Sequence, residues 1–202
     1  MHPSIFAFYE PFGNSKDKIM ILNESGTSKK FKNPADAIFD TADKFSNALD
    51  RAMDYDQIFS VVKKTVKSAT GRERSGLGLA LADLPPTLGA FWQVGGNYIV
   101  MNENLVYAMI RLCHSTREFN SFIYMILTHE YLHSCGFIDE QEARNMTAVV
   151  SAKAFGNEHP ASRMSSKDLW RLYPDILNVT GGNGTSFRIV SKFDSDSTSY
   201  IG

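Results

Sequence analysis

Residues 129–139 read HEYLHSCGFID, which is the pattern H-E-x-x-H-x-x-G-x-x-D. The two histidines, His129 and His133, are four positions apart, so on a helix they share one face and both imidazoles can reach one metal ion. Glu130 follows the first histidine, where its carboxylate can serve as general base toward a water that the metal activates. The stretch therefore predicts a metal-dependent hydrolytic centre, with Zn²⁺ as the metal that suits these ligand types.

The residues before the pattern predict the helix that carries it. Ser115 and Glu118 form a capping-box pattern, an apolar run follows, and Gly136 is a suitable helix terminator. Two histidines and a glutamate in such an apolar helix would cost stability without a compensating partner, and a metal supplies one. The alternative is a polar stripe on the solvent side of an ordinary helix.

A third metal ligand is expected shortly after the second histidine. Asp139 is the first candidate, because Gly136 permits a sharp turn and a carboxylate oxygen is an acceptable zinc ligand. The same aspartate also fits the N-cap of a following helix at about residues 139–155, with Glu142 as its acidic partner. His159 is the alternative ligand if that helix bends back toward the metal. Glu140 and Glu142 are weaker options, since both sit in the first turn of the next helix.

Three further side chains have chemistry that suits such a site. Cys135 could approach the metal, although a small buried apolar residue is the simpler interpretation of its position. Tyr131 and Tyr173 are candidate oxyanion stabilisers, because a phenol can donate a hydrogen bond to a developing negative charge.

The rest of the chain predicts an α+β fold. Strands are expected at 4–9 and 17–22, and a helix from Asn33-Pro34 that breaks or is capped near Asp54 and ends at Gly71. The Gly/Pro-rich stretch from Gly76 predicts irregular or edge strands and not a central parallel sheet. The remaining expectations are strand-like pieces at 77–81, 90–94 and 97–101, a helix from Asn102 to Leu112, a loop after Gly156, a helix at 166–172 and a last strand at FRIV.

Length and composition set broad limits. The 202 residues predict one domain over 1–178, followed by a Gly/Ser-rich segment at 179–202 with one strand and a frayed tail. A formal net charge of −1 does not show the excess of basic residues that is typical of nucleic-acid-binding proteins. The longest apolar run is too short to span a bilayer, and the chain has only two cysteines. A cytoplasmic protein without a membrane or nucleic-acid partner is therefore expected, and its oligomeric state is left open.

The motif resembles that of the zincin superfamily of zinc metallopeptidases, and its H-E-x-x-H-x-x-G-x-x-D form is similar to the snapalysin-type variant of the metzincins. The chain as a whole also resembles uncharacterised archaeal HExxH proteins. The resemblance implies a small mixed sheet, a backing helix, and an active-site helix below a cleft. It further implies an edge strand from the Ala90–Met101 region that binds extended substrate. Metzincins also carry a methionine turn, for which Met164 is the candidate.

Three functions compete at this stage. The first is a zinc peptidase acting on a peptide or protein substrate, in which Glu130 takes the proton of the water and passes it to the leaving amine. The second is a metal-dependent endoribonuclease, because the histidine spacing is similar to that of YbeY-type RNA-processing proteins, which lack the glutamate. The third is a non-catalytic module stabilised by a metal with four protein ligands.

Overall fold

The computed structural model describes residues 43–181, 184 and 186–196. The expected strands at 4–9 and 17–22, the helix start at Asn33-Pro34 and the end of the C-terminal tail lie outside these residues. The described helices are α1 (residues 43–50), α2 (Tyr55–Thr70), α3 (Glu103–Leu112), α4 (Thr116–Ser134), α5 (Glu140–Phe155), α6 (Pro160–Ser166), α7 (Leu169–Leu172) and a 3₁₀ turn at Pro174–Asn178. The strands are β1 (Gly78–Ala82), β2 (Ala90–Trp92), β3 (Tyr98–Asn102) and β4 (Phe187–Ile189). This part of the chain is thus a mixed α/β structure, as expected.

Local signals set the helix boundaries. The carboxylate of Asp54 accepts from the Gln57 backbone N–H to cap α2, and Gly71 ends that helix in the left-handed region at φ 72°. Ser115 caps α4 by accepting from the Glu118 N–H. These caps were predicted from the sequence, and they fix where the motif helix begins.

The four strands form one sheet in the order β2-β3-β1-β4. β1 and β3 are parallel partners at its centre, whereas β2 and β4 are antiparallel edge strands. The expectation of irregular or edge strands from Gly76 onward is therefore wrong for β1 and β3. The Gly and Pro residues that indicated irregular structure lie in the connections. Pro85-Pro86 and Gly95-Gly96 fall between strands, where they interrupt no hydrogen bonding of the sheet.

Helix α4 runs through the core. Phe122, Ile123 and Leu127 on this helix are fully buried, and α2, α5 and α6 all pack against it. On its other side α4 contacts β2 and β3. The motif helix is therefore held on several sides, which limits the freedom of the side chains that it presents.

The C-terminal residues are bound more firmly than the sequence suggests. β4 completes the sheet beside β1, and Asp194, only 5% exposed, accepts hydrogen bonds from the backbone N–H groups of Gly76 and Leu77. Ser195 donates through its backbone and its hydroxyl to Asp56. Residues 194–196 are thus anchored on α2, although a frayed tail was expected there.

A buried amide joins α4 to the end of α1 and to the residues that follow it. Asn120, 4% exposed, donates through Nδ2 to the carbonyls of Leu49 at 2.9 Å and Ala52 at 2.8 Å. Replacing Asn120 by Ala leaves both carbonyls without this donor, so we expect a loss of about 2 kcal/mol in the free energy of unfolding. Denaturant unfolding measures the loss, with the exposed Asn145→Ala as control. Equal stability of the two variants would contradict the assignment.

Candidate metal centre

Three ligand-bearing side chains meet at the end of α4. His129 and His133 lie on the last turns of α4, and Glu140 is the first residue of α5, which follows after the turn at Gly136. Gly136 has φ +97°, a backbone conformation that favours glycine and reverses the chain so that α5 starts beside the histidines. The three side chains are the group of His, Cys, Asp and Glu in the described residues that could hold a metal ion.

The distances among the three groups match a tetrahedral site. His133 Nε2 lies 3.1 Å from His129 Nε2 and 3.2 Å from Glu140 Oε2, and His129 Nε2 lies 3.3 Å from Glu140 Oε1. Ligands 2.0–2.1 Å from a tetrahedral ion are separated by about 3.3–3.4 Å. Each of these contacts is therefore close to a ligand–ligand distance in a tetrahedral zinc site. The two histidines face different oxygens of Glu140, and one ligand atom from each of the three residues lies within 4.8 Å of the others.

The orientation of His133 is fixed by the turn that follows. Its Nδ1 lies 2.8 Å from the carbonyl oxygen of Phe137, so Nδ1–H is the donor and Nε2 is the ring nitrogen that faces the other two ligands. Arg144, one turn along α5, donates through Nη2 to Glu140 Oε1 at 2.9 Å. Partners outside the cluster thus hold two of the three ligands in place.

Electrostatic interactions within the cluster are strong. Hydrogen bonds from His129 and His133 hold the pKa of Glu140 well below its usual range. In return, the Glu140 carboxylate raises the pKa of His133. The carboxylate is therefore ionised at neutral pH, which is the form in which it binds a metal.

Glu130 lies beside the cluster in a buried environment. It is 5% exposed, and burial raises the pKa of its carboxyl group, while the nearby histidines and the Trp92 backbone N–H act in the opposite direction. A buried carboxylate with a raised pKa is better matched to accepting a proton near neutral pH than an exposed one. The position of Glu130 suits the general-base role expected from the motif.

A cavity of about 510 Å³ opens over these residues. One wall is the segment from Thr87 to Trp92, which includes the edge strand β2, and α4 supplies His129, Glu130 and His133 on the other. The edge strand β2 therefore borders the cavity that opens over the cluster.

The other candidate ligands lie elsewhere. Asp139 caps α5 by accepting from the Glu142 N–H at 2.8 Å, so the structure brings Glu140 and not Asp139 to the histidines. His159 caps α6, accepting from the Ala161 N–H while its Nε2 faces Asp50 at 3.1 Å. Neither it nor Glu142 belongs to the metal-ligand group of the described residues.

The remaining side chains singled out from the sequence do not line the cavity. The Tyr131 hydroxyl accepts from the backbone N–H of Arg74 and donates to its carbonyl. Cys135 ends α4, and burial raises the pKa of its thiol. Tyr173 lies beside Cys113, where burial raises the pKa of its phenol. Met164, the candidate for a methionine turn, is a buried residue of helix α6 and is not in a turn.

Glu140 is the residue that sequence reasoning ranked too low. The sequence places it in the first turn of the next helix, and in the structure that turn lies beside the end of α4. The signal for it was present, because a cap at Asp139 fixes the start of α5 and therefore the position of the residue that follows. Whether Glu140 reaches the two histidines depends on the angle between α4 and α5, and packing sets that angle.

No protein-family model, curated protein or solved structure matches this chain. No helix of the described residues has the length and apolar character needed to cross a membrane. The function is therefore inferred from the site itself.

Proposed function

We propose that this protein is a zinc-dependent peptidase with His129, His133 and Glu140 as metal ligands and Glu130 as general base. The observation that carries the proposal is the cluster of His129, His133 and Glu140, with nitrogen and oxygen atoms in contact at 3.1–3.3 Å, beside a buried glutamate and within a cavity bordered by an edge strand. A closed structural site would use a fourth protein ligand, whereas the group found in the described residues has three. This favours a catalytic centre over a purely structural one.

The chemistry divides between the metal and the protein. When bound, zinc would polarise the scissile carbonyl and lower the pKa of a water. Glu130 takes a proton from the attacking water and delivers it to the leaving amine, a transfer that requires its carboxylate to be ionised at the start. His133, oriented by Phe137, and Glu140, held by Arg144, keep the ligand geometry while this proton moves. Backbone groups of β2 align the peptide.

We also place this activity in the cytoplasm. Cys113 and Cys135 are both free thiols, as is usual in a reducing compartment.

Cleavage of an unstructured protein tests the proposal. We expect protein loaded with one equivalent of zinc to cleave a denatured, casein-like substrate, to lose this activity on dialysis against a chelator, and to regain it when zinc is restored. Mass spectrometry of the products locates the cleaved bonds. A structured RNA is incubated in parallel, since the histidine spacing is shared with RNA-processing proteins. Cleavage of the RNA and not of the polypeptide would overturn the peptidase assignment.

A further inference from the structure

Part of the cavity is bordered by a loop that lies between β1 and β2. This loop, residues 84–89, is called the wall loop below, and its residues Thr87, Leu88 and Gly89 line the cavity. Residues 85–88 are exposed to solvent. Exposed loops with few buried apolar contacts are usually the parts of a protein that open most easily. The shape of the cavity therefore depends on what holds the wall loop in place.

The wall loop has few hydrogen-bond donors of its own. Pro85 and Pro86 carry no backbone N–H. One turn closes within the loop, where the N–H of Leu88 donates to the carbonyl oxygen of Pro85 at 2.9 Å. Backbone carbonyls that turn toward the protein interior still need donors, so these must come from outside the loop.

The donors come from Asn102, the last residue of β3, which is fully buried. Its Nδ2 donates to the carbonyl oxygens of Leu84 at 3.2 Å, Pro85 at 3.1 Å and Leu88 at 2.8 Å. Its backbone N–H donates to the carbonyl oxygen of Gly89 at 2.8 Å. One buried residue thus contacts the wall loop at its beginning and at its end.

The two ends of the Asn102 amide serve different elements. The oxygen, Oδ1, accepts from the N–H of Asn104 at 3.1 Å and caps α3, whereas the nitrogen holds the wall loop. Aspartate and serine are about as good as asparagine at an N-cap, but neither carries an NH₂ group. Replacing Asn102 by Asp or Ser therefore removes the donors to the loop and keeps the cap of the helix.

Strand β2 relates the wall loop to the reacting bond. The last residue of β2 is Trp92, whose backbone N–H contacts the carboxylate of Glu130. Gly89 precedes Trp92 by three positions, and an extended chain rises about 3.3 Å per residue, so the wall loop lies roughly 10 Å from Trp92 along the strand. A peptide that runs along β2 would meet the wall loop about three residues away from the cleaved bond.

We propose that Asn102 is a positioning residue of the cleft, which holds the wall loop in the conformation that binds a peptide about three residues away from the cleaved bond. The inference rests on the proposed peptidase function and adds a dependence on substrate length. A wall that is already ordered spares the complex the entropy of ordering it. Loss of this order should therefore weaken substrate binding more than turnover.

Kinetics with peptides of two lengths test the proposal. The peptides share the residues around the cleaved bond, and the longer one extends four residues to each side, the shorter one a single residue. In Asn102→Asp and Asn102→Ser we expect the KM of the longer peptide to rise about tenfold, with kcat and zinc content within about twofold of the wild type. The KM of the shorter peptide should not change. An equal effect on both peptides, or none on either, would overturn the proposal.

Two comparisons exclude simpler explanations. Agreement between the Asp and Ser variants attributes the effect to the lost NH₂ group, since only Asp adds a charge. Asn120→Asp is the matched control, because Asn120 is also a buried amide that donates to two carbonyls but lies outside the residues that line the cavity. Both Asn→Asp changes should lower the unfolding temperature, and only the change at Asn102 should raise KM. If both raise KM equally, Asn102 contributes to stability alone.

Hydrogen exchange observes the wall loop without a substrate. In zinc-loaded Asn102→Asp, the backbone amide of Leu88 should exchange about tenfold faster than in the wild type, because the loop opens more often. In Asn120→Asp the same amide should exchange at the wild-type rate. Unchanged exchange in Asn102→Asp would show that the amide does not hold the loop, whether or not any peptide is cleaved.

A binding measurement separates this inference from the peptidase proposal. The longer peptide is titrated by calorimetry into zinc-loaded Glu130→Gln, with Asn102 intact and with Asn102→Asp added. Weaker binding to the double variant supports the positioning role even where the wild type cleaves no peptide. Cleavage of the longer peptide with the same KM and the same affinity in both backgrounds supports the peptidase and overturns the positioning role.

Discussion

Replacing Glu130 by Gln is expected to lower kcat for peptide cleavage by about a thousandfold while the protein keeps its zinc. Gln has the shape of Glu but cannot accept the proton of the attacking water. Because burial raises the pKa of the Glu130 carboxyl group, folding disfavours its ionised form. The variant should therefore unfold at a temperature no lower than the wild type. Steady-state kinetics, elemental analysis and thermal unfolding measure the three quantities.

The exposed glutamate Glu142 supplies the control. Glu142→Gln makes the same chemical change at an exposed residue of α5, outside the residues that line the cavity. Its kcat should equal that of the wild type. Undiminished turnover in Glu130→Gln would exclude the general-base role, and loss of zinc in that variant would mean that the change disturbs the site and not the proton transfer.

Removal of one metal ligand is the second change with a large expected effect. Purified wild-type protein should contain about one zinc per chain, whereas His133→Ala and Glu140→Ala should each lose it. Each substitution removes one of the three side chains that offer a ligand atom to the cluster. Added zinc should raise the unfolding temperature of the wild type and leave that of both variants unchanged.

Two neighbouring residues serve as controls for this experiment. Asp139→Ala removes the N-cap of α5 and should cost about 1 kcal/mol of stability while zinc is retained. His114→Ala removes an exposed histidine at the start of α4 and should change neither zinc content nor stability. Loss of zinc in Asp139→Ala together with retention of zinc in Glu140→Ala would identify Asp139, and not Glu140, as the third ligand.

Features governed by neighbouring residues were predictable from the sequence. The caps at Asp54, Asn102 and Ser115, and the end of α2 at Gly71, follow from side-chain oxygens and a glycine acting on adjacent backbone groups. The pairing of His129 with His133 follows from helix geometry alone. These interactions span at most four residues, so no tertiary information is needed to find them.

Features governed by contacts between distant segments of the chain were not predictable from the sequence. The parallel pairing of β1 with β3 joins segments that Gly and Pro residues separate, and composition alone favoured irregular structure there. Helix α6 was expected to be a loop, although Pro160 at its first position after His159 was a usable signal. Glu140 was undervalued because the angle between α4 and α5 is set by their packing with α6.

The three groups at the end of α4 come from twelve consecutive residues, His129 to Glu140. The chain segment that a metal would close is therefore short, and the entropy lost in closing it is small. We expect that an ion can bind as soon as the hairpin of α4 and α5 forms, before the parallel strands β1 and β3 pair. Metal capture would then stabilise an early, locally connected folding unit, and the slower assembly of the sheet would complete the cleft around it.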